Sequence, residues 1–335
     1  MYKTFIIVTV FLVIIVMVSH FIWVKKSVAR SAFLNLTLVI TSIIYILLIL
    51  EYIFANFVIQ SDGINTTLSS RKWTKTYWNP INSNGYRDYE HEWKENILFI
   101  VGDSFVAGHG INNISDRFSS ILSDKLGDKW SVAIIAQNGW NPMQEFDALK
   151  AHTKNPNYVI VSYFINDIDS AAEVNGIKPP ANMFNQPEGL VKEIINTSYL
   201  ANWLYWRLYR GGFGNGYIDY INVAYNNPKV WFTHKQELNK FIQYAERLNI
   251  NIGFVLWPNL GDVQGSRNIL SKVDEFLSSK KVKVLNLVEL LANRKSSALI
   301  VNSIDPHPNA ELNHEVAALI YEKFEMVNFN HASQK

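Results

Sequence analysis

Between Lys3 and Lys25, and again between Arg30 and Glu51, the chain carries no Asp, Glu, Lys or Arg, and neither run shows a polar face. Each is about 20 residues long, enough for a helix rising 1.5 Å per residue to cross a hydrocarbon core of roughly 30 Å. The pattern predicts a transmembrane hairpin over residues 1–60, with spans at about 4–24 and 31–52. A cleaved signal peptide is the alternative for the first run, but no small-x-small site follows it and a second span comes directly after. From Gln60 to Asn79 the chain turns polar and rich in Ser and Thr, ending in Trp73, Tyr77 and Trp78. This stretch reads as a tether over 61–80.

Beyond it the pattern shortens. Apolar runs at Ile97–Val101, Val132–Ala136, Tyr158–Phe164, Ile250–Leu256 and Val282–Leu287 read as strands buried on both faces. Between them Phe118, Ile121, Leu122 and Leu126 share a helical face, as do Leu238, Phe241, Ile242 and Ala245, and again Ile269, Val273, Phe276 and Leu277. Leu312, Val316, Leu319, Ile320 and Phe324 form a last helix, with Asn309 as its N-cap. Strands alternating with helices predict an α/β domain over 81–330 with a parallel sheet and helices on both sides. Functional groups in such sheets gather in loops at the carboxyl ends of the strands. The stretch from Ser170 to about Trp231 is long for a connection. Dense in Trp and Tyr, it reads as a helical insertion over about 170–231 that packs its aromatics on the domain, presents a platform for sugar rings, or leans on a bilayer.

Charge decides orientation. Lys25, Lys26 and Arg30 lie between the two spans, against Lys3 alone at the amino end. The positive-inside tendency puts that loop in the cytoplasm and the domain outside it, periplasmic or extracellular, on the cell (inner) membrane. Arg71, Lys72 and Lys75 pull weakly the other way. The absence of cysteine removes any disulfide framework or thiol-ligated metal, and a net charge of +2 gives no reason to expect nucleic acid.

Candidate chemistry sits where the α/β reading wants it. Ser104 follows the first strand in "GDSF" and is either a nucleophile or a helix N-cap. Gly102 permits a tight turn before it, with Asp103 between. Gly139 follows the second strand, as a turn residue or as one whose N–H can approach another loop. Asn166 and Asp167 follow the third, as a turn and helix start or as a place from which the Asn166 amide donates to an oxygen held at Ser104. Asp305 and His307 occupy the loop before the last helix, where a base and its orienting carboxylate for a serine would be placed. A metal reading with Asp305, His307 and His314 is disfavoured, because His314 falls inside the helix beyond.

Taken together, "GDSF", "NGW", "IND" and "DPHPN" resemble, in order, the four signature blocks of the SGNH or GDSL-type hydrolases. "NSNGYRDYE" at 82–90 looks like a segment found before the serine block in membrane-anchored members. The resemblance implies a flavodoxin-like three-layer α/β/α sandwich with a five-stranded parallel sheet. It implies Ser104 as nucleophile, His307 as general base and acid, and Asp305 as the residue orienting His307. The oxyanion hole would be the N–H groups of Ser104 and Gly139 with the Asn166 amide. Gly102, Asp103 and Asp167 would support the turns, and no metal or cofactor is needed. Three departures stand out: Phe164 replaces the glycine of the third block, only Pro306 separates Asp305 from His307, and Phe105 replaces a leucine. The expected activity is hydrolysis of O-acyl, in particular O-acetyl, esters on envelope or surface polysaccharide. A lipid ester is another candidate substrate, and proteins of polysaccharide assembly are candidate partners. An O-acyltransferase using the same acyl-enzyme is one alternative, and a non-catalytic glycan-binding or scaffold protein another.

Overall fold

The computed structural model describes residues 11, 14, 15, 18, 28–179, 187–209 and 213–326. The chain divides into two compact units, Met1–Ile59 with Pro187–Trp206, and Gln60–Gln186 with Arg207–Lys335.

In the first unit, helix α1 (Val28–Phe57) holds a stretch of 23 residues, Asn35–Phe57, long and apolar enough to cross a bilayer. It is one such helix among the described residues where the apolar pattern predicts two, and the other run, 4–24, lies almost wholly outside them. Leu36, Ile40, Ile43 and Leu47 are exposed along α1. Glu51 interrupts this apolar surface with a carboxylate, which accepts from the backbone N–H of Tyr199 at 2.7 Å, that of Leu200 at 3.0 Å, and the Ser198 hydroxyl at 2.7 Å. It thereby satisfies the free N–H groups that open helix Tyr199–Tyr209. Trp203 of that helix meets Phe54 edge to face, ring centroids 5.0 Å apart.

The second unit is built on five parallel strands in the order β2-β1-β3-β4-β5. They are β1 (Asn96–Gly102), β2 (Trp130–Ala136), β3 (Tyr158–Phe164), β4 (Asn251–Trp257) and β5 (Lys283–Asn286). Each predicted run is a strand to within two residues, because uninterrupted β-branched and aromatic residues are stable only where both faces are covered. Leu98, Phe99, Ile100 and Val101 of β1 are inaccessible to solvent.

Before the sheet comes α2 (Leu68–Tyr77), capped by the Thr67 side chain. The stretch expected to be a tether is thus folded into this unit, with Ser61, Asp62 and Trp73 buried. After β1 come α3 (Ser104–Ala107) and α4 (Phe118–Leu126), then α5 (Pro142–Ala151) after β2. Next are α6 (Pro228–Leu248) ahead of β4, α7 (Arg267–Ser279) ahead of β5, and α8 (Ala310–Lys323) at the end. Connections between parallel strands are right-handed, so the step from β1 to β2 and the three steps in the opposite direction put their helices on opposite faces. Accordingly α4 packs with α8, and α5 packs with α6. The predicted insertion is helical, with segments Asp169–Val174, Gly189–Thr197, Tyr199–Tyr209 and Phe213–Asn226. It is divided between the units, and in the second Tyr220, Ile221, Ala224 and Tyr225 join the core.

The strand order reverses direction between β1 and β3. At such a switch point the loops leaving the two strands diverge and open a crevice at their carboxyl ends. Ser104 follows β1 and Asn166 follows β3, so both sit at that place.

Candidate active site

The turn after β1 is set by sterics. A Cβ on Gly102 would lie 2.6 Å from Val106 Cγ2 and 3.0 Å from both Cβ and the carbonyl oxygen of Ser162, so only glycine fits between β3 and the start of α3. Asp103, not Ser104, is the N-cap: its Oδ1 accepts the Phe105 N–H at 2.9 Å. Ser104 is the first residue of the helix, and its hydroxyl is left for another partner.

That partner arrives from the far end of the chain. β6 (Ile300–Asn302) and β7 (Asp305–Pro308) pair antiparallel, Ile300 opposite Pro308 and Asn302 opposite Asp305. The residues expected in a loop are therefore in a strand, where side chains two apart point to the same side. The single residue Pro306 between Asp305 and His307 places carboxylate and imidazole together. Asp305 Oδ1 accepts from His307 Nδ1 at 2.6 Å and from the His307 backbone N–H at 3.1 Å. His307 Nε2 lies 2.8 Å from Ser104 Oγ. A carboxylate can only accept, so Nδ1 carries the ring hydrogen and Nε2 offers its lone pair to the Ser104 hydroxyl. The second acceptor near that hydroxyl, Asp103 Oδ2, is farther at 3.4 Å.

All three groups are buried: relative exposure is 9% for Ser104, 7% for His307 and 0% for Asp305. Burial alone would lower the His307 pKa, but the charge and hydrogen bond of Asp305 outweigh it and raise the value above 6.5. Burial would likewise raise Asp305, but the charge and hydrogen bond of His307, with His109 and Ser61 behind them, hold it below the usual carboxylate range. The Phe105 ring lies 5.3 Å from His307 and is stacked at 4.5 Å on Phe164. The departures at 105 and 164 are thus one feature, with Phe164 backing the Phe105 ring that lies beside the imidazole.

The remaining predicted residues are distributed as follows. Asn166 lies in the single 3₁₀ turn Ile165–Ile168 after β3, and its side chain is one of the groups that offset the effect of burial on the Asp103 carboxylate. Its Oδ1 is buried without a partner among the described residues. Asp167 is buried and accepts the Phe164 N–H at 3.1 Å, closing the same turn. Gly139 occupies an exposed turn after β2 with φ 74°. His314 is an exposed residue of α8, 3.8 Å from Asp116, and takes no part.

Sequence reading missed two groups here. His109, buried at 3% exposure, stacks on His307 with centroids 4.8 Å apart. Ser61 donates its hydroxyl to Asp305 Oδ2. His109 was within reach of pattern reading, five residues past Ser104 in the same short stretch. Ser61 carried no signal, being one serine in a polar run 244 residues from its partner. Among the described residues, His109, Asp305 and His307 offer atoms within 4.8 Å of one another, a spacing that could suit a metal ion. Their protons argue against that use: Asn138 Nδ2 can only donate, at 2.9 Å, to His109 Nδ1, so His109 Nε2 carries a hydrogen, and both His307 nitrogens are engaged.

No protein-family model matches the chain, and no curated protein matches its sequence. Solved structures do resemble it. A protein described as lipolytic and of the G-D-S-L family, from Desulfitobacterium hafniense DCB-2, is 12% identical over 68% of this chain and 99% of its own, with a TM-score of 0.42. The psychrotrophic esterase EstA from Pseudoalteromonas sp. is 14% identical over 69% of this chain and 97% of its own, TM-score 0.41. A catalytic mutant of Axe2, an acetylxylan esterase from Geobacillus stearothermophilus, is 12% identical over 69% and 94%, TM-score 0.41.

Proposed function

We propose that the chain is a membrane-anchored serine esterase of the SGNH type, which hydrolyses O-acyl esters, in particular O-acetyl groups, on envelope or surface polysaccharide. The observation that carries this reading is the continuous relay from Ser104 Oγ through both nitrogens of His307 to Asp305. In this mechanism Ser104 Oγ attacks the ester carbonyl while its proton passes to His307 Nε2. Asp305 holds the ring in the tautomer that can accept it and stabilises the imidazolium that results. The N–H groups of Ser104 and Gly139 and the Asn166 amide donate to the oxyanion. His307 then protonates the departing alcohol, and a water deprotonated by His307 resolves the acyl-enzyme, returning Ser104 and releasing the acid.

The glycan target rests on the apolar helix α1, the Lys25–Arg30 charge and the Trp- and Tyr-rich insertion, a combination suited to a surface polymer. The test uses the full chain in detergent with a chromogenic acetyl ester, with and without sugar acceptors, beside Ser104→Ala. Expected are acetate release by the wild type and a loss of about a thousandfold or more in the variant. Equal rates would sink the assignment, and acetylated sugar formed faster than acetate would make the protein a transferase.

A further inference from the structure

Asp305 has two oxygens, and the relay uses only one. Oδ1 receives both hydrogen bonds from His307, while Oδ2 receives the hydroxyl of Ser61. Ser61 is 1% exposed and comes four residues after the last residue of α1 in the chain. Its position is fixed from several sides. Asp62 accepts the N–H groups of Ile64 at 3.0 Å, Thr66 at 3.2 Å and Thr67 at 2.5 Å, folding the segment against the start of α2. Ser69 Oγ accepts the Gln60 N–H at 3.0 Å, and Asn302 Nδ2 donates to the Ser61 carbonyl at 3.1 Å. Gly110, at φ +84°, leaves the space the contact needs, since a Cβ there would come within 2.8 Å of Asp305 Oδ2 and 3.1 Å of Ser61 Oγ. His109 Nε2 points at the same oxygen but is 4.0 Å away, too far for a hydrogen bond.

We propose that Ser61 is a positioning residue of the hydrolytic site: its hydroxyl fixes the Asp305 carboxylate so that Oδ1 stays directed at His307. The inference rests on the triad reading above. Without that hydroxyl the carboxylate can rotate about its Cβ–Cγ bond and loses a charge-assisted donor, while nothing that would touch a substrate changes. Around the pair the charged or titratable neighbours are His109, Asp103 and Asp62, with Arg87 behind His109. All of them remain in a Ser61 variant. A carboxylate no longer held toward His307 stabilises the charged imidazolium less, so the acid limb of kcat/KM moves to lower pH.

The experiment compares full-length wild type, Ser61→Ala, Ser61→Thr and Ser104→Ala in detergent, on a chromogenic acetyl ester across pH. Ser61→Ala should lose about ten- to a hundredfold in kcat with KM unchanged and shift the acid limb downward, and Ser61→Thr should recover most of the rate. Wild-type kcat and pH profile in Ser61→Ala would overturn the inference, as would equal losses in Ala and Thr. If the Ala variant shows no melting transition, Ser61→Thr and Ser61→Cys decide: the hydroxyl must outpace the thiol, a weak donor, and equal rates overturn it. A wild type no more active than Ser104→Ala removes the triad reading itself, an outcome distinct from a Ser104-dependent enzyme indifferent to residue 61.

Discussion

At the scale of single residues, the decisive quantity is where one proton sits. In the proposed mechanism His307 must be neutral to take the Ser104 proton, and Asp305 raises its pKa above 6.5. The neutral fraction, and with it kcat/KM, should fall as pH drops through that raised value, giving an acid limb above pH 6.5. Asp305→Asn should lower the limb toward the ordinary value and cut kcat steeply, and a limb that stays in place would show that Asp305 does not act on His307. Glu145 supplies an independent test. It is fully buried, and neither carboxyl oxygen has a hydrogen-bond partner among the described residues. Burial first, then the charge of Asp103, pushes its pKa well above 4.5. A group whose folded pKa is raised contributes stability that is complete below its unfolded value and declines as pH rises toward the folded one. The wild-type melting temperature should therefore fall more from about pH 5 to pH 8 than that of Glu145→Gln. Parallel curves would mean that Glu145 is ionised in the fold.

At the scale of elements, the β6–β7 hairpin decides whether His307 and Asp305, the base and its orienting acid in the proposed mechanism, meet. Asp305 and His307 share a side only because they are two apart on a strand. Inserting one alanine after Pro306 should turn the imidazole to the opposite side and reduce the rate to that of Ser104→Ala, with the five-stranded sheet intact by circular dichroism. Activity close to wild type would show that the hairpin adapts. The same element shows where pattern reading stopped. Three residues of β6 and four of β7 are too short for alternation to show, and Pro306 and Pro308 argue against a strand. The seven-residue runs of β1 to β4 are readable because they are almost uninterruptedly apolar, and the amphipathic helices because each repeats its period several times. The folded stretch 61–80 looks like a tether for a related reason: polar residues buried by hydrogen bonds, such as Ser61 and Asp62, resemble solvated ones in composition.

At the scale of the whole molecule, the proposed anchoring through helix α1, with the positive charge of Lys25, Lys26 and Arg30 on the cytoplasmic side, predicts that the second unit lies outside the cytoplasm. A reporter active only in the cytoplasm should stay silent when fused after Lys335, and the chain should sediment with membranes through a carbonate wash. A bright reporter would reverse the topology. The sequence by itself determined the α/β class, because the alternation of buried strands and one-sided helices leaves few other ways to bury so much apolar surface. It also put Ser104 and Asn166 just after strands, because the apolar runs show where strands stop, and Asp305 and His307 ahead of the last helix, though not in the strand they form. Tertiary structure alone decided which groups touch. That Phe105 and Phe164 form one wall, and that Ser61 reaches Asp305 across 244 positions, are matters of approach between distant segments. Local pattern carries no record of such contacts, since they arise from the order and handedness with which the strands assemble.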